Sequence, residues 1–171
     1  MNGSPRSPQR PEGAPPGDDA RGADLTPVGD WPASAAGSAM RFQDSYPAQP
    51  DSVSAIRKAL QAFTRRCRLP RETADAVALA VSEAATNVVV HAYRDSEEPG
   101  RIEVAAAVAA DELWVIITDK GLGMRPRTDS PGLGLGLAII AQMADGVDLV
   151  KPADGGLELR MRFAVPPASD R

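Results

Sequence analysis

The sequence predicts an α/β fold, specifically a two-layer α+β sandwich in which three main helices cover one face of a mixed, mostly antiparallel sheet. Two observations predict this architecture. Three segments repeat apolar residues at helical spacing, and five shorter segments carry the alternating or continuous apolar runs that are typical of strands. Clusters of glycine, proline and aspartate separate these segments, as expected where a chain turns between elements.

Composition divides the chain into one domain and two tails. Residues 1–38 hold seven of the sixteen prolines and six of the fifteen glycines, with little aliphatic content. Such a segment cannot bury enough apolar surface to offset its ordering entropy, so we expect a disordered N-terminal tail. Residues 39–167 then form the domain, and residues 168–171 form a short C-terminal tail.

The first half of the domain is predicted to contain one strand and two helices. The strand spans residues 40–46 and ends at Pro47. Asp51 or Ser52 can cap the first helix, whose apolar residues recur at helical intervals as far as Cys67. A lone cysteine on an apolar helix face predicts a buried core thiol. The second helix follows Pro70, because proline is tolerated at an early helical position.

The second half is predicted to contain a third helix, around Leu137 and Ile140, and the remaining strands. These strands lie at residues 102–108, 113–118, 147–150 and 157–165. The last two form a hairpin with a turn at residues 154–156. In the last strand, Glu158, Arg160 and Arg162 share the face opposite the apolar residues, which predicts a sheet open to solvent on that side.

Glu83, Asn87 and His91 recur at four-residue intervals along the second helix, within about 80° of arc. The rest of that helix is apolar nearly all round. A carboxylate and a carboxamide in a buried helix are costly unless something pairs with them. A metal-bound polyphosphate would do so, with the amide oxygen as a ligand for Mg²⁺. The alternative interpretation, an exposed polar stripe on an amphipathic helix, is the commoner meaning of this spacing.

Two glycine clusters downstream favour the polyphosphate interpretation. The sequence Asp119-Lys-Gly121-Leu-Gly123 directly follows an apolar strand, which leaves a carboxylate at the sheet edge beside backbone that a ligand can approach closely. The run from Gly132 to Gly136 opens the third helix, and a glycine-rich helix entry exposes amide N–H groups that suit phosphate. Each cluster alone is weak evidence, because Asp-Gly is most often a turn.

The three motifs in this order resemble the N, G1 and G2 boxes of the GHKL, or Bergerat-fold, ATPases. Within that superfamily the chain is most similar to the anti-sigma factor serine/threonine kinases. The features that carry this similarity are the small size, the sequence Ser-Glu-Ala-Ala-Thr-Asn at residues 82–87 and the short segment between the glycine boxes. The resemblance covers roughly residues 40–165 and implies a Bergerat-type ATP-binding fold.

The resemblance implies ATP and Mg²⁺ as cofactors and a role for each box. Glu83 would orient or deprotonate the attacking hydroxyl, since phosphoryl transfer requires chiefly positioning and charge neutralisation. Asn87 would bind Mg²⁺ and Asp119 would contact the adenine amino group, while His91 would form part of the pocket wall. The other nucleotide-binding residues would be Gly121 and Gly123 at the strand end, and the phosphate loop of Gly132, Leu133, Gly134, Leu135 and Gly136.

The implied function is a serine/threonine protein kinase that phosphorylates an anti-sigma factor antagonist of the STAS type and sequesters a sigma factor. A homodimer is a further expectation. The alternative is a module of the same fold that binds ATP and sequesters a partner without phosphotransfer. A weaker alternative is a structural protein whose glycine boxes are only turns. The chain has no second helical domain with an acceptor histidine, which argues against a sensor histidine kinase.

Charge and hydropathy narrow the partners and the location. The net charge of −4 and the sequence pI near 5.0 argue against a nucleic-acid-binding protein or a protein that binds anionic membranes. We find neither an uninterrupted apolar run of the ~20 residues that span a bilayer nor an N-terminal apolar segment typical of a signal peptide. We therefore expect a cytoplasmic protein.

Overall fold

The computed structural model describes Ser38 and residues 40–93, 100–109, 111–121, 133–153 and 155–166. Within these residues five strands and three helices form two layers. In chain order they are β1 (Met40–Pro47), α1 (Pro50–Arg66), α2 (Arg71–Asn87), β2 (Arg101–Ala109), β3 (Glu112–Asp119), α3 (Leu133–Met143), β4 (Gly146–Val150) and β5 (Leu157–Ala164). A π-helical turn, Val88–Ala92, continues α2.

The described sheet has the strand order β1-β2-β3-β5-β4, and every neighbouring pair is antiparallel. We predicted a mixed, mostly antiparallel sheet, and the antiparallel pairing is confirmed. The central strand β3 pairs with β2 and β5 along its whole length. Its last residue, Asp119, pairs with Ile102 and Leu157. The candidate carboxylate thus lies at one end of the central strand.

The three helices pack on one face of this sheet, as predicted. Strand side chains alternate between the two faces, so every second residue of the central strands points towards the helices. The strands contribute Ile102, Val104, Ala106, Leu113, Val115, Ile117, Leu159, Met161 and Phe163 to this core, and the helices contribute Ile56, Leu60, Phe63, Val77, Val81, Ala84 and Ile140. This single buried layer fixes how α2 and α3 lie over the end of β3.

The first helix differs from the prediction at both ends. It begins at Pro50, and its N-cap is Gln49, which makes no side-chain capping bond. Proline suits the first turn because its missing N–H would have no helical partner there. Cys67 is the C-cap residue; it packs against the core as predicted, but it is only partly buried. Partial burial raises the pKa of this thiol, and the nearby Arg66 opposes that effect.

Within the described residues, one helical stretch, Arg71–Ala92, is long and apolar enough to cross a membrane, with a mean hydropathy of 1.3. The sequence search for an uninterrupted apolar run missed it because isolated polar residues interrupt the stretch. Its buried side chains pack against α1, α3 and the sheet. Packing in the core accounts for the apolar composition of this helix.

The sheet face opposite the helices is less open to solvent than predicted. The alternation along β5 is as expected, but Glu158 is 3% exposed, and Ile116, on the same face, is fully buried. Arg160 lies across from Ile116 and donates from Nε to Oε1 of Glu158 at 2.5 Å. The apolar stem of an arginine can cover neighbouring strand surface while its charged end forms an ion pair.

Candidate functional site

The C-terminal end of α2 presents two polar side chains to the first turns of α3. Gly136 lies opposite them. A methyl group placed on Gly136 would be 3.2 Å from Nδ2 and 3.3 Å from Oδ1 of Asn87, and 3.5 Å from Oε2 of Glu83. The carboxylate and the amide therefore converge on one point beside a backbone that has no side chain. The structure thus brings the first and third sequence motifs together.

Asn87 is a buried polar residue with incomplete hydrogen bonding. The residue is 8% exposed, and its Nδ2 atom has no hydrogen-bond partner among the described residues. Leaving a buried donor unpaired costs about 1–3 kcal/mol. This unpaired donor lies in a helix whose small buried residues, such as Ala80 and Ala84, let it pack closely against its neighbours. The Nδ2 atom of Asn87 is therefore free to donate a hydrogen bond to a ligand.

The hydrogen-bonding pattern of the helix changes directly after Asn87. Residues 88–92 form a π-helical turn, in which hydrogen bonds run to the fifth residue and not to the fourth. His91 lies in this wider turn and is partly buried. It therefore does not continue the ridge of Glu83 and Asn87 at regular α-helical spacing, as the sequence pattern had suggested. Single π turns inside helices occur frequently at functional sites.

Asp119 is a buried carboxylate at the end of β3. It is 3% exposed, and its Oδ1 accepts a hydrogen bond from the Gly121 N–H at 2.9 Å. Among the described residues, no cation pairs with it. Burial raises the pKa of Asp119, and the bond from Gly121 only partly offsets that effect. The carboxylate is therefore available as an acceptor for a neutral donor, such as an exocyclic amine.

A narrow pocket joins the two motifs. It lies between α2, the π turn and the sheet, and both Asn87 and Asp119 line it. The other lining residues are apolar: Ala84, Val88, Ala92, Ile117, Leu157 and Leu159. The pocket's volume is about 10 Å³, roughly the space of one water molecule, so it marks where the two motifs meet and is too small to hold a nucleotide by itself.

Two glycines bring separate segments against the end of β3. A methyl group on Gly121 would lie 2.1 Å from the carbonyl oxygen of Ala92, so the segment after β3 touches the π turn. Gly156, in the turn before β5, has a φ of +82°, and a methyl group there would lie 1.8 Å from the carbonyl oxygen of Asp119. Sequence reasoning identified Gly156 only as a turn residue. Its closeness to Asp119 follows from strand pairing, which the sequence pattern did not reveal.

Several predicted site residues cannot be placed. Gly123 and Gly132 lie outside the described residues, and for Leu133, Gly134 and Leu135 only the helical backbone is described. That backbone shows that α3 begins at Leu133, earlier than the apolar pattern around Leu137 had suggested. Gly134 and Gly136 therefore belong to the first turns of the helix.

The residues that are present fit a nucleotide with its metal ion. Asn87 offers an amide oxygen, a ligand type that Mg²⁺ accepts, and an unpaired N–H group that can donate to a phosphate oxygen. The absence of a side chain at Gly136 lets the backbone of α3 lie close to the Asn87 amide. No cluster of three His, Cys, Asp or Glu side chains occurs in the described part of the chain. Mg²⁺ is commonly held by one or two protein ligands together with substrate phosphates, and Asn87 would be such a ligand.

Comparison with known proteins agrees with this geometry. The sequence profile of the histidine kinase-like ATPase domain matches residues 46–163. The chain is similar to the serine-protein kinase RsbW of Staphylococcus aureus, for example from strains JH9 and Newman. Each is 28% identical over 130 residues, which cover 67% of this chain and 80% of the relative.

Two solved structures share the fold. One contains the RsbU and RsbW domains of Rv1364c from Mycobacterium tuberculosis, with a TM-score of 0.57 and 19% identity; the match covers 73% of this chain and 32% of that one. The other is the histidine kinase domain of the blue-light activated histidine kinase EL346 from Erythrobacter litoralis. Its TM-score is 0.50 at 23% identity, and the match covers 73% of this chain and 66% of that one. The predicted resemblance to the GHKL superfamily is confirmed.

Proposed function

Because the chain belongs to the histidine kinase-like ATPase domain family, we propose that it is an ATP-dependent serine/threonine protein kinase of the anti-sigma type. One observation carries the proposal. Glu83 and Asn87 converge on Gly136, beside a pocket that Asp119 reaches from the sheet. A base, a metal ligand and an adenine acceptor are the three groups that such a kinase needs.

Each residue has a distinct part in the proposed reaction. Asp119 accepts a hydrogen bond from the adenine amino group and thereby selects the base. Asn87 holds the nucleotide through its amide, and Mg²⁺, when bound, neutralises charge on the phosphates. Glu83 lies one turn before Asn87, is partly exposed, and takes the proton of the attacking hydroxyl. A nucleotide affinity that does not depend on Mg²⁺ would remove Asn87 from the metal site.

The partly exposed position of Glu83 supports a macromolecular substrate. Leu79 and Val90, on the same side of the helix, are 43% and 44% exposed, so apolar surface borders the proposed base. We propose that the substrate is a serine or threonine of a STAS-type anti-sigma factor antagonist. We further propose that the protein sequesters a sigma factor, forms a homodimer and acts in the cytoplasm. The similarity to RsbW, named a serine-protein kinase, supports the kinase proposal.

Loss of the Glu83 carboxylate tests the catalytic proposal directly. Glu83→Ala should bind ATP nearly as well as the unaltered protein, because Asn87 and Asp119 remain, yet transfer should fall about 10²–10⁴-fold. The measurement is transfer of labelled γ-phosphate to antagonist proteins encoded by the same genome, with ATP affinity measured in parallel. Glu72→Ala is the matched control, because Glu72 lies exposed in the first turn of the same helix.

Two results would count against the proposal. If Glu83→Ala transfers phosphate at the unaltered rate, Glu83 is not the base. If the unaltered protein binds ATP but modifies none of the antagonists, the protein is a binding module that sequesters its partner without phosphotransfer.

A further inference from the structure

Tyr93 connects three segments that surround the candidate site. It directly follows the π turn, and its ring is partly buried. Its hydroxyl donates to the carbonyl oxygen of Arg101, at the start of β2, at 2.9 Å. The same hydroxyl accepts a bond from the backbone N–H of Lys120, also at 2.9 Å. One side chain thus joins the end of the motif helix to β2 and to the residue after Asp119.

The surrounding backbone is shaped to admit this side chain. A methyl group on Gly100 would lie 1.8 Å from the Tyr93 ring, so the ring occupies space that any larger residue would need. On the other side, Gly121 packs against the carbonyl group of Ala92. The segment 119–121 is therefore held at consecutive residues: by the bond from Gly121 to Asp119 and by the bond from Lys120 to Tyr93.

We propose that Tyr93 is a positioning residue for adenine recognition. Its hydroxyl holds the segment that carries Asp119 in register with the helix that carries Asn87. This inference rests on the proposed nucleotide site. The carboxylate of Asp119 can discriminate between purines only if its direction is fixed, and the neighbouring Lys120 N–H is the point at which the structure fixes it.

The hydroxyl group, and not the ring, is what performs this role. Tyr93→Phe keeps the ring against Gly100 but removes the partner of one N–H and one carbonyl group. Desolvation raises the pKa of the Tyr93 hydroxyl, so it stays protonated at neutral pH and can donate and accept at the same time. Without it, the Lys120 N–H loses its hydrogen bond to the residue after the π turn, only the packing of Gly121 against Ala92 remains there, and the segment 119–121 samples other directions.

The test compares Tyr93→Phe with Tyr46→Phe. Tyr46 is also partly buried and undergoes the same chemical change, but it lies on β1, two strands away from Asp119. The affinities for ATP and GTP are measured by calorimetry, and exchange of the Lys120 amide proton is measured by NMR in the protein without nucleotide.

We expect Tyr93→Phe to weaken ATP binding about 5–30-fold, corresponding to roughly 1–2 kcal/mol. We expect it to reduce the preference for ATP over GTP by a similar factor and to accelerate Lys120 exchange at least about tenfold.

The outcomes separate this inference from the proposed function. Unchanged nucleotide preference and unchanged Lys120 exchange in Tyr93→Phe would overturn the positioning role. An equal loss of affinity for both nucleotides, with a lower melting temperature, would also overturn it, because it would show a structural role only. If the unaltered protein binds neither nucleotide, the proposed function fails. In that case Lys120 exchange still decides whether Tyr93 holds the segment.

Discussion

Two carboxylates on neighbouring strands are equally buried but differently paired. Asp119 on β3 and Glu158 on β5 are each 3% exposed. Glu158, on the face away from the helices, is bonded to the guanidinium group of Arg160. Asp119, on the helix side, receives a backbone N–H but no cation among the described residues. Two carboxylates with the same exposed fraction therefore differ in whether a cation pairs with them.

This difference indicates which buried charge is structural. Burial of a charge without a partner costs far more than burial of a paired charge. Glu158 has its partner within the chain, so its environment is complete. Asp119 and the amide of Asn87 are buried with unused hydrogen-bonding capacity on the helix side of the sheet. Unpaired buried atoms also occur on the opposite face, at Glu103 and Thr118, so the helix side is distinguished by the way the Asn87 amide and the Asp119 carboxylate line one pocket.

Neutralising each carboxylate should give opposite results. Asp119→Asn should weaken ATP binding at least about tenfold, because a donor replaces part of the acceptor that faces the adenine amine, and should cost little stability. Glu158→Gln should leave ATP binding unchanged. It should lower the free energy of unfolding by about 1–3 kcal/mol, since the charge of Arg160 loses its partner. Calorimetric titration and urea unfolding of both variants measure the two effects.

The contrast between Asp119 and Glu158 would be contradicted if both substitutions reduced stability, or if both reduced ATP affinity. Loss of stability without loss of ATP affinity in Asp119→Asn would show that Asp119 is structural, like Glu158. Equal ATP and GTP affinities in the unaltered protein would remove Asp119 from adenine recognition.

A methyl group at Gly136 should separate an effect on nucleotide affinity from an effect on stability. Alanine is favoured over glycine inside helices by up to about 1 kcal/mol, so Gly136→Ala should keep or raise the melting temperature. The new methyl group would lie 3.2–3.5 Å from Asn87 and Glu83 and would press on both proposed site residues. We expect nucleotide affinity to fall several-fold while stability does not. Affinity equal to that of the unaltered protein would show that the nucleotide does not use this space.

The smallest expected effect is a pH dependence of stability due to Asp119. Burial raises its pKa in the folded protein above the value in the unfolded chain, so the folded state binds the proton more readily. Stability from this group is therefore greatest at low pH and falls as the pH rises through the raised pKa. Urea unfolding at several pH values should show the unaltered protein losing stability relative to Asp119→Asn as the pH rises above the ordinary aspartate pKa of about 4. A constant difference would contradict the raised pKa.

Local patterns predicted the elements of the fold well. The alternation of apolar residues located β2 and β5, and the continuous apolar run before Asp119 located β3. Element boundaries were less accurate. The start of α1 at Pro50 was missed because Asp51 and Ser52 are stronger capping residues than Gln49. Residue type predicts which residue can cap a helix, whereas the packing of α1 against β1 determines where the chain turns into the helix.

The sequence singled out residues that the structure brings close together, but it did not reveal the contacts that hold them in place. Glu83, Asn87 and Asp119 carry unusual polarity for their apolar surroundings, and this contrast is visible in the sequence. The roles of Tyr93 and Gly156 depend on contacts with Lys120 and Asp119, which are 27 and 37 residues away. The π turn was also missed, because no residue type specifies an i→i+5 bond.

Gly156 has a consequence for engineering the molecule. Hairpin turns at a surface usually accept added residues, epitope tags or inserted domains. The turn before β5 does not offer this freedom, because Gly156 packs against the carbonyl group of Asp119 with no room for a side chain. An insertion there displaces the strand end that carries the candidate adenine acceptor. A fusion placed in this turn would thus act on the candidate nucleotide site, although it is far from the motifs in sequence.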